Sequence, residues 1–186
     1  MPQPVTRTYH LLKPLADKED RISWMVETEC LGPFALVKAF RNMADRDHEV
    51  AIYQQLRSLQ GSGLPRLRAA CCQAPLRHDE RKHALMLSWI GPQWHSDFSP
   101  LTRAELLRAR TVLEEIHRKG VVHRDMWPRN LVRSSQAGGV CIVDFGMALT
   151  KSMMGKAAFD LECRKEMEAM DDLIQAAEKG DLQVLI

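Results

Sequence analysis

Val121-Val122-His123-Arg124-Asp125-Met126-Trp127-Pro128-Arg129-Asn130 is followed, after a short polar stretch, by Val140-Cys141-Ile142-Val143-Asp144-Phe145-Gly146. Between the polar ends of these segments lie Leu131-Val132, a turn-rich run from Ser134 to Gly139, and the apolar Val140 to Val143. Two short apolar runs around a polar turn read as a β-hairpin. A hairpin returns the chain to its starting point, so Asp125, Asn130 and Asp144 are expected together at strand ends and loop tips. Carboxylate and amide oxygens are the ligands Mg²⁺ prefers, and it usually takes only one or two carboxylates when phosphates supply other oxygens. A remaining carboxylate can take the proton of an attacking hydroxyl.

The flanking segments are helical. Upstream, Thr102 is placed to cap a helix, Glu105 completes a capping box, and Leu106, Ala109, Leu113 and Ile116 form one stripe that Gly120 ends. Downstream, the tail from about Gly155 to Lys179 places Phe159, Cys163, Met167, Met170 and Ile174 on one face, with Gly180 as its stop. Nearer the N-terminus, residues 21–40 read as two strands around a turn at Leu31-Gly32-Pro33. Residues 46–60 then read as a helix carrying Val50, Tyr53 and Leu56, stopped by Gly61-Ser62-Gly63 and Pro65. A strand pair follows, with Arg77 to Lys82 as its charged connection and His83 to Ile90 as its second member. The expectation is an α+β fold in a single domain over 1–186. A small antiparallel-sheet lobe with one helix occupies about 1–90, and a mostly helical lobe about 91–186.

Composition excludes several classes. The chain has 186 residues, 45% hydrophobic and 27% charged, which is ordinary for a globular domain able to bury its own core. Lys and Arg total 26 against 24 Asp and Glu, a net of +2, too balanced to hold nucleic acid by overall charge. No apolar run reaches a membrane span, and the polar N-terminus lacks the apolar core of a secretory signal. Cys30, Cys71, Cys72, Cys141 and Cys163 have no metal-site spacing. Cys141, in an apolar run, reads as a small buried thiol. A reducing intracellular compartment such as the cytoplasm is expected.

The two opening segments resemble the protein-kinase superfamily. His123-Arg124-Asp125 followed by Asn130 matches the catalytic loop H-R-D-x-x-x-x-N, and Asp144-Phe145-Gly146 matches D-F-G. Ala35-Leu36-Val37-Lys38 looks like the strand bearing the phosphate-gripping lysine. Glu49, early on the next helix, stands where the family places that lysine's partner. Leu85 to Ile90 resembles the strand and hinge that receive adenine.

The resemblance implies a two-lobed kinase-like fold using ATP and Mg²⁺. Lys38 would steady the α/β-phosphates and Glu49 would hold Lys38. Leu87 would line the narrow part of the nucleotide pocket, with Ser88, Trp89 and Ile90 supplying the hinge. Asn130 and Asp144 would bind Mg²⁺, and Asp125 would orient or deprotonate the acceptor hydroxyl. Arg129 would add positive charge beside the transferring group; the plainer reading gives it only a salt bridge to a nearby carboxylate.

The sequence departs from the family in three places. No G-x-G-x-x-G precedes Lys38, where Gly32 is the only glycine. Glycines let backbone approach phosphates closely, so the nucleotide would be covered differently. Trp127 stands where serine/threonine kinases place a lysine. The 40 residues after Gly146 contain no A-P-E segment and leave the helical lobe reduced, with a partner protein as one substitute for the missing helices. The pattern resembles the small atypical kinase-like proteins common in fungi.

Two function classes follow: a phosphotransferase acting on a hydroxyl, protein Ser/Thr first, or a pseudokinase that binds nucleotide or a partner without turnover. A third variant keeps the chemistry but gives the acceptor to a small molecule or nucleic acid, received by Arg118, Lys119, Arg124, Arg129 and Arg133. Such charges more often pair with local acids.

Overall fold

Apolar residues of the N-terminal half build the first sheet. In the computed structural model, which describes residues 9–17, 21–28, 34–71, 82–90, 101–134 and 139–180, these residues form five antiparallel strands. They are β1 (Tyr9–Asp17), β2 (Arg21–Thr28), β3 (Phe34–Phe40), β4 (Leu67–Cys71) and β5 (His83–Ser88), in the order β1-β2-β3-β5-β4. Val26, Ala35, Val37, Ala84 and Met86 pack on one face with Trp24 and Ala69 against them. Strand β3 is central, and from Val37 to Phe40 every residue is buried, so Lys38 is carried into the interior by its neighbours.

Strand β1 was not expected from the sequence. Its Leu11-Leu12 pair and Pro14 break the alternation that marks a strand. Proline cannot donate to a ladder and is confined to edges and irregularities. Here β1 is the sheet's edge, and its register against β2 slips between Leu11 and Lys13 and again between Pro14 and Ala16. The turn at 31–33 and the connection at 77–81 lie outside the described residues.

The helix expected over 46–60 runs instead from Met43 to Gln55 (α1). It starts earlier because the Asn42 side-chain oxygen accepts from Ala44 N at 2.9 Å. It stops earlier because Leu56 leaves helical geometry and Arg57–Leu59 tighten into a 3₁₀ turn. The chain divides into two compact units, Met1–Val50 with Leu67–Trp89, and Ala51–Arg66 with Ile90–Ile186.

The second unit is organised by α2 (Arg103–Arg118), α4 (Lys156–Lys179) and two short ladders. Helix α2 has the expected capping box, with Thr102 accepting from Glu105 N and Glu105 accepting from Thr102 N, and its stripe of Leu106, Ala109, Leu113 and Ile116 is buried. Strands β6 (Val121–Val122) and β9 (Leu149–Thr150) pair antiparallel, as do β7 (Leu131–Ser134) and β8 (Gly139–Ile142). A one-turn helix, α3 (Lys151–Met154), leads into α4, whose end is closed by Gly180 in the left-handed conformation at φ 75°.

The buried face of α4 differs from the expected one. Phe159, Met170 and Ile174 are buried as read, but Cys163 and Met167 are only half-buried; Glu166 and Leu173 take the interior positions. Spacing from Phe159 through Cys163 to Glu166 and Met170 satisfies a helical stripe as well as one through Met167 does. What draws Glu166 inward is a set of polar partners described below.

Helices α2 and α4 run antiparallel along a seam of opposite charges. Arg103 pairs with Glu178, Arg110 Nε with Asp171 Oδ1 at 2.7 Å, and His117 Nε2 with Glu166 Oε2 at 2.7 Å. The basic members recur every seventh residue of α2, which is two turns of helix and returns to the same face. Exposure falls along the seam from the first pair, 58% and 47%, to the last, 10% and 6%.

Candidate active site

The chemistry-bearing loops are pinned at both ends by the two ladders of the second unit. Residues 123–130 run from β6 to β7, and residues 143–148 from β8 to β9. Because β6 pairs with β9 and β7 with β8, both loops start and finish at the same two places. The last pair of the β7–β8 ladder is Leu131 with Ile142, and Val143 N donates to Asn130 O at 3.0 Å beyond it. Asp144 is therefore the residue next to Asn130's bonded partner.

Asp125 joins the same group directly. Asn130 Nδ2 donates to Asp125 O at 2.7 Å and to Asp125 Oδ2 at 3.0 Å, while Arg129 Nη2 donates to Asp125 Oδ1 at 2.6 Å. The structure brings Asp125 and Asn130 into direct contact and sets Asp144 one residue beyond Asn130's backbone partner, and Arg129 makes the salt bridge of its plainer reading. The exposed indole of Trp127 lies 5.6 Å from the Arg129 guanidinium, in cation–π range.

With both donors of the Asn130 amide spent on Asp125, its Oδ1 is the atom left for a cation. One carboxylate from Asp144 and one amide oxygen from Asn130 match the sparse protein shell Mg²⁺ takes when phosphates share it. Among the described residues no cluster of three or more His, Cys, Asp or Glu side chains gathers around a point.

Packing holds the two loops in place. Phe145 is fully buried, with its ring edge-on to His123 at 4.8 Å and to Tyr53 at 5.3 Å. His123 Nε2 lies 2.9 Å from Val143 O, and Asp125 N donates to His123 Nδ1 at 3.3 Å. That pattern fits the neutral imidazole, Nε2 as donor and Nδ1 as acceptor. Burial holds the His123 pKa below its ordinary value, overriding the carbonyl of Val143 and the nearby carboxylates that favour the cation.

Among the described residues two non-glycines, Arg124 at φ 64° and Asp144 at φ 67°, are left-handed. Arg124 directly precedes Asp125 and Asp144 is itself one of the gathered side chains, and such strain persists only where surroundings over-determine it.

The first unit carries its own polar group. Lys38 Nζ lies 2.6 Å from Glu49 Oε1 and 2.7 Å from Oε2, with Lys38 4% and Glu49 0% exposed. A pair this buried gains little net stability after desolvation. Leu87 and Ser88 close β5 and are buried, while Trp89 and Ile90 continue beyond it half-buried.

Arg118, Arg124 and Arg133 near the loop are engaged locally. Arg133 Nε and Nη2 donate to the two oxygens of Glu105 at 2.7 and 3.0 Å, and Arg118 pairs with Glu115. The hydrogen bond from Arg133 holds the Glu105 pKa down at about 2. Arg124 Nε lies 4.0 Å from Glu162.

Sequence reading missed Glu166, which accepts from the backbone N–H of Arg124 and meets His117. Its signal was present: one acid falling on the apolar stripe of the last helix. Cys141 is buried as expected, and burial pushes its thiol pKa up. Burial also lifts that of Cys163, to about 11.

An α+β architecture whose hairpin gathers Asp125, Asn130 and Asp144 defines a kinase-like phosphotransferase class. A family model described as the phosphotransferase enzyme family (APH) matches residues 54–161, more than half of the chain, and the protein belongs to that family. The matched region contains Leu87 to Ile90, Asp125, Arg129, Asn130 and Asp144; Lys38, Glu49 and Glu166 lie outside it. No curated protein matches the chain. No helix among the described residues is long and apolar enough to cross a membrane.

Proposed function

We propose that the protein transfers the γ-phosphate of ATP, with Mg²⁺, to a hydroxyl acceptor. The observation that carries this reading is the hydrogen-bonded unit of Asp125 and Asn130, with Asp144 adjacent to it. Asn130 Oδ1 and an Asp144 oxygen hold the cation, which neutralises charge on the phosphates when bound. Lys38, fixed by Glu49, steadies the α/β-phosphates, and the backbone from Ser88 to Ile90 with Leu87 receives the base. Asp125 Oδ2 takes the acceptor proton as the new O–P bond forms and the bond from γ-phosphorus to the bridging oxygen breaks, leaving ADP. Arg129 holds Oδ1, so the free edge of the carboxylate is set by two neighbours. Catalysis of this kind is positioning and charge stabilisation.

The acceptor is a neutral alcohol, with protein serine or threonine the first to test and a small hydroxylated molecule the second. A polyanionic acceptor is disfavoured because Arg118, Arg129 and Arg133 are already paired with acids. The competing reading is a pseudokinase that binds nucleotide without turnover.

An ATP titration with and without Mg²⁺, read by both binding and phosphate release, separates the two. Mg²⁺-dependent binding with release is expected. Binding without release selects the pseudokinase, and absence of both removes the nucleotide from the account.

A further inference from the structure

Trp127 stands two residues after Asp125, and its backbone is fixed at both ends. Its N–H donates to Asp125 O at 2.9 Å, and its own carbonyl accepts from Asn130 N at 2.9 Å. Pro128 follows, which restricts the residue before it to extended backbone, and Trp127 has φ −105° and ψ 155°. The residue on this rigid frame is 54% exposed, more than any other Phe or Trp among the described residues.

A lone apolar side chain on a surface needs no explanation. This one is tied to the group placed to take a proton. The Arg129 guanidinium carbon lies 5.6 Å from the indole centroid, and its Nη2 donates to Asp125 Oδ1 at 2.6 Å. Indole, guanidinium and carboxylate thus form one chain of contacts. An indole is large and turns about few bonds, so apolar surface laid on it gains affinity at little entropic cost. Charge narrows what can lie there. Arg129 beside the ring repels a cationic acceptor, and an anionic one would have to take Arg129 from Asp125.

We infer that Trp127 is the platform for the acceptor. Its indole carries the flat apolar body of a neutral alcohol whose hydroxyl reaches Asp125, an aryl-bearing alcohol rather than a bare serine or threonine hydroxyl. A serine side chain has no such body, so this places the small hydroxylated molecule ahead of protein. The chemistry of this inference rests on the proposed phosphotransfer; the contact between ring and alcohol does not.

The test uses the full chain with Mg-ATP and two primary alcohols as probes, 2-phenylethanol and ethanol. Transfer to either forms its phosphate monoester and ADP, with the hydroxyl proton passing to Asp125 Oδ2. Stacking and apolar burial on one indole correspond to about a tenfold preference. Wild type should therefore give kcat/KM for 2-phenylethanol about tenfold above that for ethanol, and Trp127→Ala should bring the ratio to about one. Trp127→Phe, which keeps a ring, should retain most of the preference. A ratio near one in wild type, or a ratio unchanged in Trp127→Ala, overturns the inference.

Should the wild type phosphorylate neither alcohol, saturation-transfer NMR on protein with 2-phenylethanol decides. Saturation of the phenyl protons that is lost in Trp127→Ala supports the platform. Saturation retained in Trp127→Ala, or absent from wild type, overturns it. Phosphate release from ATP in the same wild-type sample reports separately on phosphotransfer. If Trp127→Ala does not fold, Trp127→Gln, which also lacks the ring, takes its place in both comparisons.

Discussion

Asn130 Nδ2 holds Asp125 at two points, the main-chain oxygen at 2.7 Å and the carboxylate Oδ2 at 3.0 Å. One amide thus fixes both the backbone and the side-chain rotamer of Asp125, the carboxylate proposed to take the acceptor proton. Replacing Asn130 with Ala strands the Asp125 carbonyl and frees its rotamer. Unfolding free energy should fall by about 1–3 kcal/mol. ATP turnover should fall at least about 100-fold, because a reacting group displaced by about 1 Å loses that much. Chemical denaturation and steady-state kinetics on the same samples check both.

The Lys38–Glu49 pair gives a prediction of opposite character. Removing one partner leaves a buried charge uncompensated, so Lys38→Met or Glu49→Leu alone should cost about 3–5 kcal/mol. The double variant Lys38→Met/Glu49→Leu should recover most of that loss and remain inactive. Recovery of stability together with activity would mean that the pair serves folding only.

Gly63 offers a test of packing. A Cβ there would lie 2.6 Å from both methyls of Val112, while Gly63 O accepts from Ile142 N at 2.9 Å. Gly63→Ala should therefore destabilise by about 1–3 kcal/mol through overpacking against α2. Adding Val112→Ala should return part of the loss, whereas an equal loss in both variants would show that the backbone, not the methyls, sets the limit.

Acid stability follows from two groups. His123 has its pKa depressed in the folded state, so the unfolded chain binds its proton first as pH drops below the ordinary 6.5. Stability is then lost as pH falls from about 6.5 toward the lower folded value. Protonation also places an Nδ1–H against the N–H of Asp125, which breaks that contact. Glu105, at about 2 instead of 4.5, contributes stability that is present above 4.5 and lost as pH falls through about 2. Thermal unfolding from pH 7.5 to 3 should show a first decline that His123→Gln flattens and a second that Arg133→Ala removes. A curve unchanged by His123→Gln would contradict the neutral-imidazole assignment.

Some of this architecture is written locally and some is not. Helix α2 could be read because Thr102, Glu105 and the stripe from Leu106 to Ile116 all point to one helix, and cap and stripe are properties of neighbours in sequence. The hairpin that gathers Asn130 and Asp144 was equally legible, since a polar turn between two apolar runs has few other solutions. Strand β1 was hidden because Pro14 and two register slips remove the alternation; its pairing with β2 is decided by the partner strand. Glu166 was hidden for a different reason. Its buried place depends on His117 and on the backbone N–H of Arg124, 42 positions away, partners that no local residue pattern announces.

The most direct test of phosphotransfer is γ-labelled ATP turnover and transfer by wild type against Asp125→Asn, at saturating Mg²⁺. Asparagine keeps the shape of the side chain but cannot take the acceptor proton. The account predicts clear turnover in the wild type and a loss of at least about 100-fold in Asp125→Asn with nucleotide binding retained. Equal rates in the two proteins would contradict it.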